Sequence, residues 1–179
     1  MVPHIWPIMI AAIAVVIFVA AFASYRRRSA IQQFAFEHGF EYRKSGTADL
    51  LGVKEASFYN QYNFYYNIVS GTFWAGTLRE ADSGLEPGGP AAPIPFIYFE
   101  QSTNRHNDRQ VIESFVRFQV PEKPAGISTD FTPFEKMYYS TERLDDKIFV
   151  WEQDKCCPAD AIGDFLRLAY FACRGLIEW

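Results

Sequence analysis

The sequence predicts an α+β fold: an N-terminal transmembrane helix, then an antiparallel sheet of about six strands packed on a C-terminal amphipathic helix. Three observations carry that expectation. No Asp, Glu, Lys or Arg precedes Arg26, and Ile5–Ala23 is almost wholly Ile, Val, Ala, Phe and Met. The middle of the chain is dense in aromatic and β-branched residues that alternate with polar ones, the mark of half-buried strands. The last twenty residues place apolar side chains at i, i+3, i+4 spacing, the mark of a helix with one buried face.

The 19 residues Ile5–Ala23 rise by about 28 Å as a helix, close to the roughly 30 Å of a hydrocarbon core. Pro7 falls in the first turn, where its missing N–H costs nothing. Trp6 and Tyr25 bracket the run as interfacial aromatics do, and Arg26, Arg27 and Arg28 follow it. These six residues are the expected membrane anchor. With basic residues only behind the span, the expectation is an outside N-terminus and a cytoplasmic C-terminal domain in a bacterial inner membrane. A cleaved signal peptide is the competing reading, because Ala21-Phe22-Ala23 fits a small-x-small cleavage site. Against it stand the missing basic n-region and an apolar run longer than 7–15 residues.

The expected division is residues 1–28 as anchor and basic stop, and 29–179 as one domain, large enough to bury a core. Of the 17 basic residues three are Arg26–Arg28; the remaining 14 against 21 acidic residues leave the domain at −7. Such a domain lacks the electrostatic footprint of a nucleic-acid binder.

Taken in order, Ser29–His38 reads as an amphipathic helix with Ile31, Phe34, Ala35 and His38 on one face and Gly39 as its C-cap. Phe40–Arg43 alternates like a strand that Lys44-Ser45-Gly46 ends. Thr47–Ala56 is ambiguous, with Ala48–Leu51 readable as one helical turn. From Phe58 to Leu78 the aromatic strands are expected to be interrupted at Asn60-Gln61 and Ser70-Gly71. Ala81–Pro95, rich in Gly and Pro, reads as a long loop. Ile94–Gln101 and Gln110–Val120 are the clearest strand pair, joined by a polar link from Ser102 to Arg109. Phe134–Ser140 and Ile148–Glu152 are further strands, the second preceded by a turn at Leu144–Lys147. Pro158 is expected to open the last helix at its first position. The pattern admits either an open sheet or a small barrel.

Chemistry-bearing motifs are scarce. No nucleophile elbow, phosphate-binding loop, dinucleotide fingerprint or His-Glu-x-x-His occurs. Cys156, Cys157 and Cys173 have neither the spacing nor the fourth ligand of a zinc site, and they read as buried or idle thiols. No catalytic, cofactor or metal residue is assigned. The one polar cluster with a histidine outside a helix is the link holding Asn104, Arg105, His106, Asp108 and Arg109, and it stands as the candidate site. The aromatic run Tyr59, Tyr62, Tyr65, Tyr66, Phe73 and Trp74 reads as cross-strand packing.

The layout resembles uncharacterised bacterial single-pass membrane proteins. The resemblance rests on a short helix closed by Arg26–Arg28, the helix-plus-strand Ala30–Tyr42, the Val69-Ser70-Gly71 turn into the sheet, and the strand Ile148–Trp151 followed by a helix to Leu176. It implies a cytoplasmic α+β domain and argues against an enzyme. The expected function is a membrane-anchored, non-catalytic interaction domain, with the bilayer and a second membrane or cytoplasmic protein as partners and no cofactor. Two alternatives are a tethered sensor of a small ligand, held between the aromatic sheet and the Ala81–Pro95 loop, and a hydrolase using His106.

Overall fold

The chain begins with a helix that does not stop where the apolar run stops. In a computed structural model that describes residues 5–74, 93–105, 109–120 and 139–177, α1 runs unbroken over Ile5–Glu37. Every side chain from Trp6 to Arg26 is exposed, whereas Ile31 and Ala35 are fully buried. One helix therefore has two halves: the first is long and apolar enough to cross a membrane, and the second is part of the fold. Ser24 hides its hydroxyl by donating to the Ala20 carbonyl at 2.9 Å, a way to satisfy a polar group on an apolar helix. Gly39, at φ 69°, closes the helix as its sequence position predicts, and the Phe40 N–H reaches back to the Ala35 carbonyl at 2.7 Å.

Six strands follow: β1 (Glu41–Gly46), β2 (Phe64–Trp74), β3 (Pro93–Arg105), β4 (Arg109–Gln119), β5 (Ser140–Leu144) and β6 (Lys147–Trp151). All pair antiparallel in the order β1-β2-β3-β4-β6-β5. The sheet is open, with β1 and β5 at its edges among the described residues. A single helical turn, α2 (Ala48–Leu51), forms where the sequence allowed one, capped by the Thr47 hydroxyl. The last helix, α3 (Ile162–Ile177), starts later than expected. Pro158 precedes a 3₁₀ turn at Ala159–Ala161, and the α-helix begins only after it.

Four further expectations need correction. Lys44-Ser45-Gly46 extends β1 rather than ending it. Phe58 and Tyr59 lie outside any strand. Ser70-Gly71 does not interrupt β2; glycine is required there because a Cβ would sit 2.3 Å from Cδ1 of Phe40, whose ring lies over that position. The irregularity falls instead at Asn67, where β2 carries one residue more than β3 between Tyr66 and Val69. Pro93 and Pro95, expected in a loop, begin β3. They pair with β2 alone, since β4 joins only from Phe96, so their missing N–H groups interrupt no central ladder. Of the expected strand Phe134–Ser140, residues 134–138 lie outside the described residues, Tyr139 is not strand and Ser140 begins β5; the loop expected over Ala81–Pro95 lies outside them as far as residue 92.

The alternation in β4 predicts one buried and one wet face, but both faces are covered. On one, Val69, Phe96, Tyr98, Val116, Phe118, Ile148 and Val150 pack against Ile31 and Ala35 of α1 and Ile162, Phe165, Ala169 and Cys173 of α3. On the other, the Ala48–Asn63 segment lays Leu51, Val53, Ala56 and Phe58 over Ile68, Phe99, Phe115 and Phe149. Phe58 contacts Phe115, Phe149 and Trp151, with ring centroids 4.6, 5.4 and 5.0 Å away. Glu142 of β5 fastens this cover by accepting from the Ser57 N–H at 2.9 Å and its hydroxyl at 2.7 Å.

Candidate functional site

Among the described residues, the sheet buries one carboxylate on its helix-covered face. Phe96, Tyr98 and Glu100 alternate inward along β3, so Glu100 lies beneath the helices and is fully buried. A buried carboxylate is costly unless opposed by charge and donors. Arg27 supplies the charge. It precedes Ile31 by one helical turn and so shares the buried stripe of α1. Its Nε and Nη2 donate to Glu100 Oε1 at 3.0 and 2.6 Å.

Two more side chains complete the carboxylate's shell. The Tyr98 hydroxyl donates to Oε1 at 2.9 Å, and Asn67 Nδ2 donates to Oε2 at 2.9 Å. The bulge makes the second contact possible. Asn67 adopts φ 50°, which asparagine tolerates better than most residues, and so joins Tyr66 and Val69 on the face of Glu100. The Tyr42 hydroxyl in turn donates to Asn67 Oδ1 at 3.0 Å.

Beyond Glu100 the network reaches the turn before α3. Arg27 Nη2 also donates to the Cys157 carbonyl at 2.6 Å and to Cys156 Sγ at 2.9 Å. Ser114 lies 3.1 Å from the Tyr98 hydroxyl and accepts the Cys157 N–H at 2.9 Å. The apolar helix, four of the six strands and the segment leading into α3 thus meet around one ion pair. An open pocket of about 140 Å³ adjoins it, lined among others by Ser114, Tyr139, Lys155, Cys157 and Asp164.

The electrostatics favour neutral partners around the pair. Burial, and then the charge of Glu100, push the Tyr98 and Tyr66 hydroxyls well above the ordinary tyrosine range. Burial pushes the Cys157 thiol up to about 12 and raises Cys156 as well, the Glu100 charge adding to it. Both therefore stay protonated at neutral pH, and a thiol is a poor nucleophile beside a thiolate. With Glu100 already accepting from three residues, the cluster offers no free general base. Its chemistry is that of a clamp. No group of three His, Cys, Asp or Glu suited to a metal ion occurs among the described residues.

The structure separates the residues named from sequence. Trp6 and Tyr25 lie exposed near the two ends of the apolar run, Pro7 in the first turns, and Arg26 and Arg28 exposed beside the half-buried Arg27. Arg26 sits 6.0 Å over the Phe22 ring. In the polar link, His106 and Asp108 lie outside the described residues, while Asn104, Arg105 and Arg109 are strand, with Arg105 opposite Arg109. Ser102 and Thr103 also belong to β3 rather than to a loop. Cys156 and Cys157 hold positions in the network, and Cys173 is buried; all three are free thiols. Sequence reasoning missed Glu100, Asn67, Tyr98 and Ser114. The available signal was an acid at an inward strand position and an arginine one turn ahead of a buried isoleucine. Comparison with family models, curated proteins and solved structures found no match.

Proposed function

We propose that this is a single-pass, membrane-anchored, non-catalytic interaction protein whose domain is clamped directly to its membrane helix. The observation that carries the reading is the burial of Arg27, one turn beyond the apolar run, against the fully buried Glu100. A tether with a free linker would let the domain wander; here the helix leaving the membrane is itself a core element. The domain would then present its sheet edges to a partner at a set height and orientation above the bilayer.

Arg26–Arg28 support a cytoplasmic domain and an outside N-terminus in an inner membrane, and three free thiols suit a reducing compartment. Fusing to residue 179 either a fluorescent protein that matures in the cytoplasm or a phosphatase active only outside it tests this. Fluorescence without phosphatase activity is expected; the converse would overturn the orientation. Recovery of a defined partner by the detergent-solubilised protein, lost when the domain is unclamped by Glu100→Gln, tests the interaction role.

The pocket beside Ser114 and Cys157 favours a second reading, a small-ligand sensor, because those two residues also belong to the clamp. A ligand there would press on the contacts that hold Arg27. A ligand-dependent rise in melting temperature would favour this reading over the first.

A further inference from the structure

We propose that the end of the sheet nearest the apolar half of α1 is a second membrane contact, a rim of Tyr62, Phe64 and Ile112 that rests in the lipid interface. The inference depends on α1 spanning the bilayer as proposed above. Its basis is the direction in which helix and sheet run together. The end of α1 packs by Phe34 and Phe40 near Phe96, their rings 6.0 and 5.0 Å apart in turn, whereas Arg27 reaches Glu100. Moving along β3 from Phe96 to Glu100 is therefore moving up α1 toward the membrane.

The next inward row continues that path. Phe64 pairs with Ser102, and Ser102 with Ile112, one row past Glu100 and about 7 Å nearer the membrane at 3.3 Å per residue. On α1 the end of the apolar run at Ala23 is four residues before Arg27, or about 6 Å. The two levels coincide. Helical side chains also lean toward the N-terminus, which places Glu100 nearer the membrane than the Arg27 backbone and the row nearer still.

This row is where the covered sheet becomes apolar and uncovered. Phe64 is 68% exposed and Ile112 40%, and Tyr62, held by its N–H on Asn60 Oδ1, is 68% exposed. In a domain of net charge −7, the described β2, β3 and β4 positions of these two rows carry one acid, Glu113, which is buried and accepts the Asp154 N–H. Asp145 and Asp146 lie in the β5–β6 turn at the opposite end. Two phenyl- or alkyl-bearing side chains with a neighbouring tyrosine match the interfacial layer of a bilayer, the exposed Asp154 lying beside Glu113 next to them.

The test is photocrosslinking of the full chain in vesicles of phosphatidylcholine with phosphatidylglycerol. A benzophenone amino acid would replace Phe64 or Ile112, with Ile17 in the apolar run and the exposed Thr72 at the far end of β2 as references. Adducts carrying the mass of one phospholipid are expected at 17, 64 and 112, and none at 72. Adducts at 17 alone would overturn the rim while leaving the spanning helix intact. Absence at all four would overturn the spanning helix and the rim with it. Crosslinks from 64 or 112 to a second copy of the chain would show a protein face instead and equally overturn the proposal.

Discussion

Glu100 is the residue on which most of this structure depends. Its carboxylate is out of water, so removing its charge leaves Arg27 half-buried and unopposed. Breaking a buried pair costs about 3–5 kcal/mol; with 28% of the Arg27 side chain still exposed, Glu100→Gln should cost about 2–3 kcal/mol by denaturant titration in detergent. Replacing both partners by apolar groups, as in R27M/E100L, should cost less than that single change, because no charge is stranded. A double variant less stable than Glu100→Gln would contradict the clamp. Asn67 adds a backbone test: with φ at 50°, Asn67→Ala should be about 1 kcal/mol worse than Asn67→Gly, although both lose the amide. The thiols give a pH dependence. Cys157 is held up at about 12 and Cys156 is also raised, so the native state keeps protons that the unfolded chain releases. That stability is fully present below about pH 8.5, the ordinary thiol value, and is lost as pH rises above it. A thermal midpoint that stays flat to about pH 10, above both ordinary values, would count against the burial of these groups.

At the scale of elements, strand positions were legible wherever alternation met a breaker. Gln110–Val120 and the Leu144–Lys147 turn lie within a residue of β4 and the β5–β6 turn. Two features were not legible, for physical reasons. The wet face expected for β4 is covered because Phe58 and Leu51 fold back over Phe115 and Phe149, a long-range contact that local periodicity does not report. Gly71 resembled a turn, yet it serves to let Phe40 approach. Gly71→Ala should therefore destabilise by about 1–3 kcal/mol through overpacking, read as a lowered unfolding midpoint. Gly71→Ala with Phe40→Leu should recover part of that loss. The clamp was half legible: Arg26–Arg28 stand together just behind the apolar run, but their adjacency hid which one turns inward. Only the phase of Ile31 distinguishes Arg27 from its neighbours.

At the scale of the whole molecule, the apolar run and the domain are continuous. The apolar run is the first half of α1, and the second half packs into the core, so any tilt of the apolar run must tilt the sheet. Charge is distributed to match: a net −7 behind residue 28, with exposed Arg26 and Arg28 where the apolar run ends. The most direct test is the distance distribution between spin labels on unnatural amino acids at Ile13 of α1 and Thr72 of β2, in nanodiscs, with the native cysteines kept. One narrow distance is expected, broadening when Glu100 becomes Gln. A broad distribution in the unaltered protein would show a domain loosely hung on its anchor and would contradict the account.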